Sequence, residues 1–247
     1  MDVKPWKECV DLMFTFKGRT SSDMGLVVER SFALRSPERS IEKIAIDGRD
    51  GVLTIDRGRY ESVIWNIPVF LRDDVDIERR LINITDWLLT DVGYHDFLWG
   101  ADGFVYRAMC HQSFNIDRIL RTFGRGVINF TLHPVKFLRE GLVERAVVNN
   151  ANINNPYGIN AKPRFRIIGG GNITISIGSQ RLVLVGIGNG GCIVDSETQT
   201  ITSLDGHLTL FDRMNSYPFP ELMPGNNVFS VPDGIQLHLI PRLGALV

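Results

Sequence analysis

Six residues, Gly186-Ile187-Gly188-Asn189-Gly190-Gly191, match the G-x-G-x-x-G pattern of a dinucleotide site, follow an apolar run, and have Asp212 about 20 residues further on. That chemistry requires a helix N-terminus under the pyrophosphate. The next residues, Cys192-Ile193-Val194-Asp195-Ser196-Glu197-Thr198, are β-branched and turn-like, so the run reads as a hairpin loop. Gly169-Gly170-Gly171 lacks the Lys-Ser or Lys-Thr that a phosphate loop needs. Cys110-His111 is the only Cys beside a His, but adjacent residues on a strand point to opposite faces and cannot share a proton. His95-Asp96 and the isolated His133, His207 and His238 show no metal-ligand spacing, and no Gly-x-Ser-x-Gly elbow is present. The expectation is a protein that is not an enzyme, with no catalytic residue, no cofactor-binding residue and no metal ligand. Aromatic rings that could stack on sugars form a separate class. All four Trp (Trp6, Trp65, Trp87, Trp99) fall in the first 148 residues. Beyond them Tyr157, Phe165, Phe211, Tyr217, Phe219 and Phe229 remain, several of which must fill a core. Tyr217 and Phe219 are the pair on which glycan binding would be tested.

The elements that would position these residues are mostly strands. Phe14-Thr15-Phe16 and Leu26-Val27-Val28 flank a turn-rich segment. Ile41 to Ile46 and Val52 to Ile55 flank Asp47-Gly48-Arg49-Asp50-Gly51, whose two Asp-Gly steps suit the positive φ angles of a hairpin turn. Ser62 to Phe70 alternates until Pro68, which suggests an edge strand. Asp73 to Thr90 carries the one helical pattern, with Asp73 or Asp74 as cap, Asp76 and Glu78 in the first turn, Ile77, Leu81, Ile84 and Leu88 on one face, and Gly93 beyond its end. Phe104 to Met109 and Gly126 to Leu132 return to strand pattern. From Phe165 onward short β-type runs alternate with Gly, Asn and Asp, as in an antiparallel sandwich: 165–168, 173–177, 182–185, 192–195, 198–203, 228–231 and 235–240.

Composition divides the chain. Through Asn150 it carries 21 Lys and Arg and 22 Asp and Glu, and beyond it only 6 of each. Charge density drops where Val148 to Pro163 packs six Asn, a Gly and two Pro, a run that favours turns and extended backbone. The expectation is a mainly β protein of two domains, 1–148 and 149–247, with this run as the seam. A net charge of −1 leaves no field to concentrate on nucleic acid or an anionic membrane. Cys9, Cys110 and Cys192 are odd in number and widely spaced, as free thiols in a reducing compartment would be. Met1 to Phe14 mixes charges among its apolar residues, unlike a signal peptide, and no apolar run reaches the ~18 residues of a spanning helix. Synthesis in the cytoplasm is the expectation.

Patches along the whole chain resemble the distal tail proteins of phages with long non-contractile tails, the phage tail component family. They are Phe14 to Leu26, the Gly48-Arg49-Asp50-Gly51 turn, the helix ending in Asp86-Trp87-Leu88, Tyr106-Arg107-Ala108, the Ile193-Val194-Asp195-Ser196-Glu197 turn, and Phe219-Pro220-Glu221-Leu222-Met223-Pro224-Gly225-Asn226-Asn227. The resemblance implies an N-terminal β-sandwich-like domain with one helix that forms a hexameric ring, single or stacked, and a C-terminal galectin-like antiparallel β-sandwich that projects outward. It also implies a place in the virion at the tail tip. The ring would join the tail tube protein to the tail-associated tip protein and receptor-binding proteins, with DNA only passing through its channel. At 247 residues the chain has no room for the inserted carbohydrate-binding modules of longer members. The rival expectation is a glycan-binding module that recognises the host surface.

Overall fold

The computed structural model describes residues 12–29, 33–72, 77–120 and 123–247. The expected cap, Asp73 or Asp74, and the first-turn Asp76, as well as Cys9 and the reading of the first eleven residues, lie outside these. The chain divides into two compact units, one of residues 1–136 with 246–247 and one of residues 137–245. The division falls 12 residues before the composition seam. Arg139, Glu140, Glu144 and Arg145 carry the charge-rich composition of the first half into the second unit.

The first unit is built on one antiparallel sheet. Its strands are β1 (Phe14–Phe16), β2 (Arg19–Thr20), β3 (Leu26–Val28), β6 (Val63–Arg72), β7 (His95–Trp99), β8 (Phe104–Met109), β9 (Ile116–Leu120) and β10 (Phe123–Leu132). β4 (Arg39–Ala45) and β5 (Val52–Tyr60) form a separate two-stranded hairpin. The sheet runs β2-β1-β7-β8-β10-β6-β3, with β9 on the far end of β10. Alternation decides which side is inward: Val63, Trp65, Ile67, Val69 and Leu71 of β6 are buried while Ile64 and Asn66 between them are exposed. The sheet curls over a core closed by α1 (Ile77–Leu89), which buries Ile77, Ile84, Trp87 and Leu88. Leu81 stays half-buried, and Trp87, absent from the expected stripe, takes its place. The Trp87 indole N–H donates to the Phe16 carbonyl at 2.9 Å, and its ring stacks on Phe14 at 5.9 Å. Helix and first strand are thereby tied through both a polar and an apolar contact.

Pro68 does not mark an edge. β6 lies between β10 and β3 over ten and three paired residues respectively. The proline is tolerated because its missing donor faces the side where the β3 ladder has just ended: Val28 pairs with Val69, and only the Glu29 amide continues, donating to the Pro68 carbonyl at 2.9 Å.

The second unit is a two-sheet antiparallel sandwich. One sheet orders β12 (Arg145–Val147), β20 (Gln236–Ile240), β14 (Arg164–Ile168), β17 (Cys192–Asp195) and β18 (Thr200–Ser203). The other orders β13 (Asn152–Asn155), β19 (Gly225–Ser230), β15 (Gly171–Ile177) and β16 (Gln180–Ile187). The chain enters this unit within β11 (Val135–Leu138) and leaves it within β21 (Gly244–Leu246). Phe165, Ile167, Val194, Leu237 and Leu239 of the first sheet meet Ile173, Ile175, Leu182, Leu184 and Phe229 of the second in one buried cluster. The Asn-rich run is not a loose seam, since Asn152–Asn155 pair in full register with Val228–Gly225. Turn-forming residue types here make a strand because the buried side chain among them is satisfied by carbonyls both near and far in sequence. Buried Asn155 donates to Ile159 O at 2.8 Å and Leu222 O at 3.1 Å.

Candidate functional site

The residues with chemical potential are dispersed and, one by one, have structural employment. Gly186 to Gly191 joins the end of β16 to β17, which lie in different sheets, so the run is an inter-sheet crossing and not the expected hairpin. A turn closes from the Gly191 amide to the Gly188 carbonyl at 2.9 Å. Gly191 has φ +81°, and a Cβ there would stand 2.1 Å from the Ile167 carbonyl oxygen. The glycine is thus required by close backbone approach, and a strand rather than a helix comes after it. Cys110 is buried and its thiol pushed up to about 11 by desolvation, while His111 is exposed. Cys192 is likewise buried and raised to about 11. A thiol at that value holds its proton at neutral pH and is a poor nucleophile. His95 stands 2.9 Å from the Asp91 carboxylate and edge-on to Phe16, and His133 accepts the Val135 amide at 3.2 Å. The His207 backbone amide donates to the Asp205 carboxylate at 3.1 Å in an exposed turn, and His238 lies on β20. Among the described residues no group of three or more His, Cys, Asp or Glu is placed to hold a metal.

A buried charge cluster lies in the second unit. The Arg242 guanidinium donates to both Asp195 oxygens at 2.6 and 2.8 Å and stands 3.2 Å from Glu197. Burial alone would raise the Asp195 carboxyl, but the guanidinium and the Glu197 and Thr198 amides outweigh it and hold it below its ordinary value. Burial would lower Arg242 and the two carboxylates reverse that. The Ser196 hydroxyl donates to the Pro220 carbonyl at 2.7 Å, joining this turn to the segment before β19. There buried Asn227 donates to Met223 O, Gly225 O and Ile153 O and accepts the Met223 amide. The family-like residues of this unit therefore fix loops; they do not converge on a reactive atom. A groove of about 480 Å³ opens along β12 and residues 231–238, lined mostly by aliphatic residues with Asn149, Asp233, Gln236 and His238 among them.

Of the aromatic candidates, Phe165, Phe219 and Phe229 are buried, which removes Phe219 from any sugar platform. Tyr217 is 81% exposed and Phe211 56%.

Two surfaces stand out instead, and composition alone does not disclose them. The β4–β5 hairpin contributes to neither core cluster: every residue from Ile41 to Arg59 is exposed. Cross-strand pairing puts Ile44 opposite Leu53 and Glu42 opposite Ile55, so Ile44, Ile46, Leu53 and Ile55 share one face, each 37–43% exposed. Gly48 and Gly51 at its tip adopt the positive φ that the Asp-Gly steps predict. The second surface is the outer side of the sheet. Val27, Phe70 and Arg125 lie in one cross-strand row, Pro68 and Val127 in the next, and Ile64 beyond them. The Arg125 guanidinium covers the Phe70 ring at 5.5 Å and pairs with Glu29 at 2.7 Å. The helix covers the opposite side of this sheet.

No protein-family model matches the chain, and no curated protein matches it in sequence. Solved structures do match it in shape. The Dit (gp 19.1) protein of phage SPP1, a hub of the adsorption apparatus of phages that infect Gram-positive bacteria, superposes with a TM-score of 0.72 at 16% identity. The match covers 92% of this chain and 97% of that one. A chain of the phage p2 baseplate in its activated conformation with Sr superposes with a TM-score of 0.49 at 8% identity over 92% and 97% of the two chains. The fold of this chain is that of the SPP1 Dit protein.

Proposed function

We propose that the chain is a distal tail protein, a non-enzymatic hub at the tip of a phage tail. Six copies close into a ring through the first unit, with the second, galectin-like unit projecting from it. The ring joins the tail tube to the tip and receptor-binding assembly and leaves an axial passage for DNA. The observation that carries this reading is the match in fold to the SPP1 hub protein along nearly the whole of both chains, at the lengths expected of a protein without insertions. The physics agrees. A closed ring uses head-to-tail contacts, so one subunit must present two different complementary faces. The near-neutral charge suits a passage that DNA traverses without being held.

Native mass spectrometry and negative-stain imaging of the purified full chain at tens of micromolar test the reading. The expected result is a species of six times 27.8 kDa with ring-shaped views. Monomers alone across that range overturn it. The rival reading, glycan recognition, has one observation in its favour, the exposure of Tyr217 and Phe211. It calls for saturable binding on a glycan array that is lost in Tyr217→Ala.

A further inference from the structure

Asn189-Gly190 is the one Asn-Gly step in the chain. An Asn side chain carries an electrophilic carboxamide carbon, and the backbone nitrogen of the next residue stands one five-membered ring away from it. Asn is for this reason a labile residue wherever the ring can close. Closure needs a nitrogen not held in a hydrogen bond, a following residue with no side chain to crowd the approach, and a backbone free to turn.

All three meet at Asn189. Among the described residues the Gly190 amide has no hydrogen-bond partner, since the turn is closed by its neighbour, Gly191 to the Gly188 carbonyl. Gly190 has no Cβ, and nothing lies within 4 Å of where one would stand at Gly188 or Gly190. Residues 188–190 are exposed. The carboxamide itself lies over Gly170, its oxygen 2.7 Å from the place a Cβ would take there, so no side chain on that side shields it. Other Asn steps with small successors lack these conditions. The Ala151 amide after Asn150 donates to the Val148 carbonyl, and the Ala161 amide after Asn160 donates to the Leu222 carbonyl. Asn215 donates to the Val183 carbonyl while the Ser216 hydroxyl accepts the Val183 amide, which pins that step to β16. Asn155 precedes Pro156, which has no N–H.

We propose that Asn189 is a self-modification site, converted in the folded chain to aspartate and isoaspartate. The Gly190 nitrogen bonds to Cγ of Asn189, the Cγ–Nδ2 bond breaks, and ammonia leaves with the proton that the amide gives up. Water then opens the cyclic imide at either carbonyl, with no redox change. Opening at Cγ gives aspartate on an unaltered backbone. Opening at the main-chain carbonyl gives isoaspartate, whose chain runs through the side chain and is one atom longer. Gly191 cannot absorb that atom, because its Cβ position is already 2.1 Å from the Ile167 carbonyl oxygen and Cys192 after it is paired with Ile167. Isoaspartate therefore unseats the start of β17, and aspartate does not. This chemistry needs neither a partner nor the tail role.

The full chain is held native at pH 8 for several weeks beside a sample in urea. Peptide mass spectrometry and labelling by an isoaspartyl methyltransferase follow each Asn. The expected result is acid and isoaspartate at position 189 in the native chain at a rate within severalfold of that in urea, with Asn150, Asn160 and Asn215 strongly protected by folding. Gly190→Ala, whose Cβ meets nothing, should slow conversion severalfold. The isoaspartate-bearing fraction should melt lower by circular dichroism with tryptophan emission unchanged, and Asn189→Asp should melt as the wild type does. Conversion at 189 in urea alone, aspartate formed without isoaspartate, or a Gly190→Ala rate equal to that of the wild type overturns the site. An isoaspartate fraction that melts with fresh protein overturns the unseating of Gly191.

Discussion

Replacing Arg242 by Met removes the guanidinium while keeping a long side chain, and it leaves the backbone strain unchanged because Arg242 already sits at φ +50°. Breaking a buried ion pair from one side costs about 3–5 kcal/mol, because the remaining charge stays desolvated. Here the Arg242 and Asp195 side chains each keep 12% of their exposure, and Asp195 still accepts the Glu197 and Thr198 amides. Solvent screening and those amides reduce the expected loss to about 2 kcal/mol at neutral pH. For a unit of this size that corresponds to a fall in Tm of roughly 10 °C. The pH dependence adds a second, sharper test. In the wild type the Asp195 carboxyl is depressed, so its contribution is present above the unfolded value near 3.9 and is lost as pH falls through the lower folded value. In the variant only the two amides still oppose burial, the folded value rises from that of the wild type, and acid relieves part of the penalty. The gap between the two proteins must therefore narrow from pH 7 to pH 3. Thermal melts followed by far-ultraviolet circular dichroism measure it. Tryptophan emission gives an internal reference, since all four Trp belong to the first unit. A loss under about 0.5 kcal/mol, or a gap that does not change with pH, refutes the reasoning.

The glycine motif separates structure from cofactor binding in one comparison. Gly191→Ala should cost more than about 3 kcal/mol in urea unfolding, from the 2.1 Å approach to Ile167 O and the positive φ, whereas Gly188→Ala, with nothing within 4 Å, should stay within about 0.5 kcal/mol. A dinucleotide site would be sensitive at both. Asn227→Ala strands four backbone partners in a buried loop and should lose about 2–3 kcal/mol, against under about 1 kcal/mol for exposed Asn226→Ala. Cys110 and Cys192, buried and raised to about 11, should resist a thiol reagent at pH 8 in the native protein and react fully in urea. Stoichiometric native labelling of either would contradict the burial.

Most strands are legible in the sequence because alternation is a local signal. Phe14–Phe16, Leu26–Val28, Phe104–Met109 and Cys192–Asp195 occupy the expected residues, and the other expected strands shift by a few. Three kinds of information are not local. Asn152–Asn155 has a turn-like composition and becomes a strand because carbonyls from residues as distant as Leu222 absorb its amide groups. Pro68 reads as an edge marker because a sequence cannot show that the neighbouring ladder stops beside it. The β7 strand, His95 to Trp99, carries no strand signal of its own, because two polar residues open it and only its partners β1 and β8 fix its face. The family-like patches are visible as text, yet their buried roles, such as Ser196 donating to Pro220 or Asn227 serving three carbonyls, emerge only when distant segments meet.

The hairpin shows what sequence pattern can and cannot say about function. Its turn is readable from two Asp-Gly steps, and so is the crowding of aliphatics around it. Ile41 falls on one face while Ile44, Ile46, Leu53 and Ile55 fall on the other. A half-buried strand hides its apolar residues on one side and a core strand on both. Apolar residues on both faces ordinarily predict burial on both, and here the chain provides neither cover. The contradiction disappears if the unit of folding relevant to these residues is larger than one chain. Selection for core-like packing then acts on side chains that are wet in the isolated subunit, and an assembly protein has its functional residues where an enzyme would have ordinary solvent-exposed surface.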